Sequence, residues 1–206
     1  MPEYLRNPPL NLEDLDPDPL RQFLAWLADA QAAELVEPTA MSLATCDADG
    51  RPSQRMVLFK GLVDGGFSFY SNYESRKGQQ LADHPRAALL FWWDKLERQV
   101  RIEGPVRKLN AEQSAAYFHS RPRLSQLASY TSRQSRVVES RATLQQRMAD
   151  NSERFADQQV PCPPHWGGYC LMPDWLEFWQ GQRGRFHDRL IYLPDGGGWQ
   201  IQRLEP

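Results

Sequence analysis

Cysteine is scarce in this chain: Cys46, Cys162 and Cys170 are the only three in 206 residues, and no two are spaced as CxxC. An odd, sparse set excludes a disulfide framework and fits a reducing compartment. Cys162 and Cys170 bracket His165, but nothing nearby offers a fourth ligand, which disfavours a zinc site. No apolar run approaches the roughly 20 residues of a membrane-spanning helix. The opening stretch MPEYLRNPPLNLEDLDPDPL is acidic and has no apolar signal segment, so the expected location is the cytoplasm. Neither GxGxxG nor GxxxxGK[ST] occurs, which removes the usual dinucleotide and P-loop signatures. There is no internal repeat, no low-complexity linker, and no Ser–His–Asp or Cys–His arrangement identifiable by spacing.

The bulk composition is that of an ordinary globular chain, with 41% hydrophobic and 24% charged residues. Its length suits one substantial core. The net charge of −2 conceals a segmental imbalance. Residues 1–54 carry a net −7, residues 55–136 a net +7, and the remainder −2. A positive middle segment suits anionic ligands. Nucleic acid is the weaker candidate, because the basic residues are scattered singly and no helix-turn-helix or RNP-like pattern accompanies them.

Residues 1–18 are rich in proline and acid and read as a flexible leader; 19–206 read as a single domain. LRQFLAWLADAQAAELV has helical apolar spacing and stops before Pro38. MSLATC and SQRMVLFK flank the turn-like DADG as a hairpin, and GFSFY is a third strand. Asn72 is placed to cap a short helix over SRKGQQLADH, ended by Pro85. RAALLFWW and ERQVRIEGPVRKL follow as strands. Asn110 with Gln113 forms a capping-box start for AEQSAAYFHS, which breaks near Pro122. A polar helix spans about 137–157, and CLMPDWLEFWQ, RFHDRLIYL and GWQIQRL close the chain as three strands. Strands dominate without a βαβ rhythm, so the expected fold is mostly β: an antiparallel sheet closed into a barrel with peripheral α-helices.

Four clusters carry chemistry. In QRMVLFK, Arg55 shares a strand face with Val57 and Phe59, while Lys60 falls on the opposite parity at the strand end. A cation beside so apolar a strand either points to solvent or meets a fixed anion. In FYSNYESRKG, Ser71, Asn72, Ser75, Arg76 and Lys77 gather donors at a strand-to-helix junction, fit for a phosphate or merely a capped surface helix. Gln99 in LERQVRIEG could read a heterocycle edge. In AAYFHSRPRLSQ, Tyr117, Arg121 and Ser125 succeed one another by four; they suit a second phosphate, or Tyr117 is an ordinary core-edge aromatic. SRQSR offers Gln134 and Ser135. In RFHDR, strand alternation would put Arg185, His187 and Arg189 on one face, where two guanidiniums around an imidazole require a polar or electron-rich partner; His187 could equally be a simple hydrogen-bonded histidine.

Taken together, QRMVLFK, FYSNYESRKGQQL, FWWDKLERQVRIEG, YFHSRPRLSQLASYTSRQS and WGGYCLMPDWLEFWQGQRGRFHDRLIY with WQIQRLEP resemble the pyridoxamine 5'-phosphate oxidase family, from about Pro19 to the last residue. The resemblance implies an FMN-binding split β-barrel and a homodimer with two FMN sites at the subunit interface. It implies flavin oxidation of pyridoxamine 5'-phosphate and pyridoxine 5'-phosphate to pyridoxal 5'-phosphate, with O2 reduced to H2O2. FMN would be met by the strand Arg55, Met56, Val57, Leu58, Phe59 and Lys60 and by Tyr70, Ser71, Arg76 and Lys77. Gln134 and Ser135 would come from the partner chain, and Gln99, Trp179 and Arg189 would lie around the ring system. Lys60, Tyr117, Arg121 and Ser125 would hold the substrate phosphate, with Arg185 and His187 framing the pyridine ring and serving turnover. Neither nucleic acid, membrane nor metal is implied. A related split-barrel flavin enzyme with another substrate (a phenazine-pathway oxidase or a flavin reductase), or a non-enzymatic flavin or pyridoxal phosphate carrier, is the alternative. Three positions depart from the family pattern: the N-terminal segment has only Arg6 where a basic pair is common, Phe186 stands where leucine is usual, and Cys170 where arginine is common.

Overall fold

A computed structural model describes Tyr4 and residues 6–206. Helix α1 (Pro19–Ala32) starts on Asp18, whose carboxylate accepts from the Leu20 N–H, with Pro19 in the first turn where its missing N–H costs nothing. Strands β1 (Ala40–Cys46) and β2 (Pro52–Leu58) form the expected hairpin. A two-residue strand, β3 (Leu62–Val63), leads into β4 (Gly66–Asn72). Helix α2 (Arg76–Asp83) begins at Ser75, not Asn72: the Ser75 hydroxyl accepts from the Gly78 N–H, while the Asn72 side chain accepts from Glu74 one turn earlier. Strands β5 (Arg86–Trp93) and β6 (Arg98–Lys108) follow, then α3 (Ala111–Ser120) with its Asn110–Gln113 capping box.

Helix α4 (Arg123–Thr131) restarts immediately beyond Pro122, and α5 spans Arg141–Arg154. The stretch CLMPDWLEFWQ is two strands, β7 (Trp166–Leu171) and β8 (Trp175–Gln180), divided at Pro173, which cannot donate to a ladder. Strands β9 (Asp188–Asp195) and β10 (Gly198–Arg203) end the chain.

The strands run β10-β9-β8-β6-β5-β1-β2, with β4 and β7 pairing off this path and β7 returning to β6. Backbone bonds from the Lys60 N–H to the Ser68 carbonyl and from the Ser68 N–H to the Gly61 carbonyl join the end of β2 to β4. That contact closes a circuit β6-β5-β1-β2-β4-β7-β6, and β8, β9 and β10 extend from it because β6 pairs β8 along 98–103 and β7 along 106–108. Such a barrel split along one strand is the expected mostly antiparallel architecture with helices outside.

Alternation on every wall strand sends one set of side chains inward. Leu89, Phe91 and Trp93 from β5, Val100 and Ile102 from β6, and Phe178 from β8 are all essentially inaccessible. Helix α1 lies against this interior through Phe23, whose ring meets Phe67 at 4.8 Å and Phe91 at 4.9 Å. Emptying such a site costs about 3–5 kcal/mol. A smaller cluster of Phe118, Leu127, Phe155, Val160 and Trp166 ties α3, α4 and the end of α5 to β7. Residues 6–18 are not a loose leader. Leu10 and Leu15 are in the main core, the Leu10 N–H donates to Asp188 at 2.9 Å, and the Tyr192 hydroxyl donates to the Asp16 carbonyl at 2.7 Å. Among the described residues no helix is long and apolar enough to cross a membrane.

Candidate active site

A cavity of about 670 Å³ opens between β2, β4 and the start of α2 on one side and α3–α4 on the other. Its volume is that of a cofactor or drug-sized ligand site. Among the described residues four cations line it, Arg55, Lys60, Lys77 and Arg121, and no aspartate or glutamate does. Uncompensated cations gathered in one concavity call for an anion.

At one end the Lys77 ammonium donates to Gln134 Oε1 at 2.7 Å and to the Ser71 hydroxyl at 3.0 Å. Burial and the nearby Arg55 guanidinium depress the Lys77 amine to about 8. Arg55 reaches across the hairpin to the Leu43 carbonyl at 3.1 Å and the Thr45 hydroxyl at 2.6 Å. Burial, then the charge of Arg76, works against its protonated form. Hydroxyl, amide and two desolvated cations form a donor set suited to a phosphate monoester. Gln134 reaches Lys77 within the one chain, at the place where the resemblance implies the partner's Gln134.

At the other end Arg121 caps α3 and turns back over the Trp166 ring at 4.7 Å. Its guanidinium donates to the Ser129 hydroxyl at 2.9 Å and the Ser125 carbonyl at 3.2 Å, and burial again opposes its charge. Tyr117 stacks on Tyr70 with ring centroids 3.8 Å apart, so the two phenols form one wall between the two cationic ends. Burial and the facing Tyr117 raise the pKa of Tyr70.

Of the residues expected from the sequence, Arg55, Met56, Val57, Leu58, Lys60, Tyr70, Ser71, Lys77, Tyr117, Arg121, Ser125 and Gln134 line this cavity. Phe59 does not: its side chain is 5% exposed and packs on Phe23, and its N–H donates to Thr39. Arg76 and Ser135 lie outside the lining, Ser135 at φ +72° in the turn 133–136. The sequence reading missed Ser129, Ser132 and Trp166. Ser129 lies four residues beyond Ser125, a spacing that would have pointed to it had α4 been anticipated.

The remaining candidates form a second group on the outer face of the sheet. Trp92, Gln99, Trp179 and Arg189 are successive cross-strand partners on β5, β6, β8 and β9, and therefore make one row. The expected alternation of Arg185, His187 and Arg189 along a strand is overturned. Gly184 and Arg185 both take left-handed φ, +62° and +64°, in a 3₁₀ turn, and β9 starts only at Asp188. His187 instead lies against Trp179 at 4.7 Å, and Tyr4 meets both rings at 5.6 and 5.5 Å. The Gln182 N–H donates to His187 Nδ1 at 3.1 Å. A backbone amide can only donate, so the neutral ring carries its proton on Nε2 and presents a donor there. Burial and the Arg185 charge lower the His187 pKa, against the opposing pull of Asp188. Phe186 is 79% exposed, and Cys170 is buried with its thiol donating to the Val63 carbonyl, away from either group. The cysteines are free, and no cluster able to hold a metal occurs among the described residues.

Comparison with known proteins decides the family. Residues 27–153 match the pyridoxamine 5'-phosphate oxidase model, and residues 166–206 match the pyridoxine 5'-phosphate oxidase C-terminal dimerisation region. This chain belongs to the pyridoxine/pyridoxamine 5'-phosphate oxidase family. It is 56% identical over 200 residues to the pyridoxine/pyridoxamine 5'-phosphate oxidase of Burkholderia cenocepacia, covering 96% of this chain and 93% of that one. It is 54% identical to the oxidase of the same name from Burkholderia lata, with the same coverage. Among solved structures, PhzG from Burkholderia lata 383, in complex with tetrahydrophenazine-1-carboxylic acid, superposes with a TM-score of 0.91 at 31% identity, covering 98% of this chain and 100% of that one. An FMN-binding protein of Nostoc punctiforme shares the fold, with a TM-score of 0.72 at 16% identity over 91% of this chain and 97% of that one. Family and fold together make the chain an FMN-binding split-barrel oxidoreductase of the oxidase family.

Proposed function

We propose that this protein oxidises pyridoxamine 5'-phosphate and pyridoxine 5'-phosphate to pyridoxal 5'-phosphate with FMN, as a homodimer carrying two FMN sites at the interface. The observation that carries this reading is the pair of cationic ends in one acid-free cavity. Two phosphates need two such ends, one for the cofactor and one for the substrate. The FMN phosphate fits Arg55, Ser71, Lys77 and Gln134, with Arg76 and Ser135 at the margin. The substrate phosphate fits Arg121, Lys60, Tyr117 and Ser125. Bound FMN would supply a two-electron acceptor for the substrate carbon, with O2 taking up those electrons to give H2O2; for the amine substrate, water would then release ammonia to leave the aldehyde.

The chain's own part is positional. Binding the substrate phosphate fixes where the pyridine ring sits, and that binding energy lowers the barrier only if the ring is held at the reacting distance. The row Gln99, Trp179 and Arg189, with Arg185 and His187 beside it, is the group assigned to the flavin and pyridine rings; it is absent from the cavity lining of its own chain. A partner laying that face across the cavity mouth would complete each site. The exposed Met56, Leu58 and Trp92 on the same sheet face suit such burial.

A second reading is favoured by the PhzG superposition: oxidation of a reduced phenazine carboxylic acid, with Arg121 meeting a carboxylate. The comparisons support the shared FMN oxidoreductase chemistry more firmly than either substrate. Within Burkholderia lata, this chain is 54% identical to the oxidase and 31% identical to PhzG, which favours the phosphorylated pyridines. The deciding experiment adds pyridoxamine 5'-phosphate or a dihydrophenazine carboxylic acid to the purified yellow protein without air. Bleaching of the flavin band by the pyridine alone, and its return with peroxide on admitting air, is expected. Bleaching by the phenazine alone would establish the second reading, and bleaching by neither would leave a flavin carrier.

A further inference from the structure

Glu177 projects from the middle of β8 onto the outer sheet face, yet its side chain is 2% exposed. Two arginines cover it. Arg189, diagonal to it on β9, grips both carboxylate oxygens, Nε to Oε1 at 2.8 Å and one terminal nitrogen to Oε2 at 3.0 Å. Arg101, its direct cross-strand partner on β6, reaches Oε2 at 3.2 Å and is balanced in turn by Glu103 at 2.9 Å. The far side of the Arg189 guanidinium donates to the Glu205 carbonyl at 3.0 Å. A guanidinium has five N–H donors. Three are committed to these acceptors among the described residues, so the plane of Arg189 is fixed and two donors remain for a ligand.

We propose that Glu177 is a positioning residue for cofactor binding: it does not touch FMN, but locks the Arg189 guanidinium in the plane that meets the flavin ring. This rests on the assignment of Arg189 to the flavin made above. Arg189 is the one arginine in the row with Gln99 and Trp179, so the two-pronged grip of Glu177 fixes the charged member of that row. A buried, bidentate pair also predicts that losing the acid leaves Arg189 charged but unguided.

The test is a double-mutant cycle on FMN affinity, read by flavin fluorescence during titration of the apoprotein, with melting temperature recorded alongside. Glu177→Gln and Arg189→Ala should each weaken FMN binding by roughly tenfold or more. The double variant should bind FMN no more weakly than Arg189→Ala alone, because the acid acts only through the arginine. Glu177→Asp, which keeps the charge but withdraws it from Arg189, should weaken binding too; it replaces Glu177→Gln in the cycle if that variant does not fold. Additive losses, or a fall in melting temperature with FMN affinity unchanged, would overturn the positioning role. Unchanged affinity in Arg189→Ala would instead overturn the flavin assignment of Arg189, and the inference with it.

Discussion

The cavity and the outer sheet face both collect cations, but they treat them oppositely. On the face, Arg101 and Arg189 are neutralised by Glu177 and Glu103, so the charges are spent within the protein and the geometry is rigid. In the cavity, Arg55, Lys77 and Arg121 meet hydroxyls, an amide, backbone carbonyls and ring faces, and no carboxylate joins them and Lys60 in the lining among the described residues. The difference separates cations whose charge is balanced within the protein from cations whose charge is not. A guanidinium count by itself would not distinguish the two regions; the carboxylates do.

The largest effect should come from removing the most desolvated cation of the acid-free region. Lys77→Met should lower FMN affinity roughly a hundredfold, since a charge-assisted contact to a phosphate is worth about 1.5–3 kcal/mol. Titration of the apoprotein with FMN checks this, and affinity within twofold of the parent would show the cavity end to be misassigned. Next, Arg121→Ala should raise KM for pyridoxamine 5'-phosphate roughly tenfold or more while flavin stays at one per chain. Loss of flavin with KM unmoved would mean that the two cationic ends have been exchanged.

A pH series tests the same contrast more gently. Lys77 is depressed to about 8, and a phosphate binds the protonated amine. FMN affinity should therefore be level below pH 8 and fall above it, by at most about tenfold per pH unit, until the pKa of the bound complex is passed. The apoprotein should move the other way. Its lysine holds fewer protons than the unfolded chain between about pH 8 and the ordinary lysine value, so this group makes folding more favourable as pH rises through that window. Lys77→Met should lose both dependences. The smallest effect is expected for Ser129→Ala, which removes one neutral hydroxyl that steadies Arg121: KM should rise roughly two- to tenfold with kcat little changed.

Much of the architecture was legible because period-two patterns and caps are local. RAALLFWW became β5 residue for residue, and the Asn110–Gln113 box opened α3 as expected. What failed was decided by backbone states that spacing does not encode. The Arg185–His187–Arg189 alternation is cut by two successive left-handed residues, with only Gly184 as a clue. The helix after SNYES starts on Ser75 because the Asn72 side chain is occupied by a turn of its own. In the site, residues adjacent in sequence to a motif were found readily. Ser129, Ser132 and Trp166 were not, since they reach the cavity only through the packing of α4 and β7. The resemblance placed twelve residues in the lining, but it could not tell that Phe59, within the same run, turns inward to the core.

Strand β6 runs for eleven residues and is shared by both halves of the split barrel, pairing β8 with its first part and β7 with its last. At the changeover sits Gly104, where even a methyl group would fall 1.9 Å from the Met172 carbonyl oxygen. The strand is thus a common spine with no slack at its crossing point. Both ladders are built on this one strand, so the cavity wall and the row of Gln99, Trp179 and Arg189 belong to one cooperative unit. Their amides should exchange with solvent only through global opening, while α5, with no buried residue, frays independently.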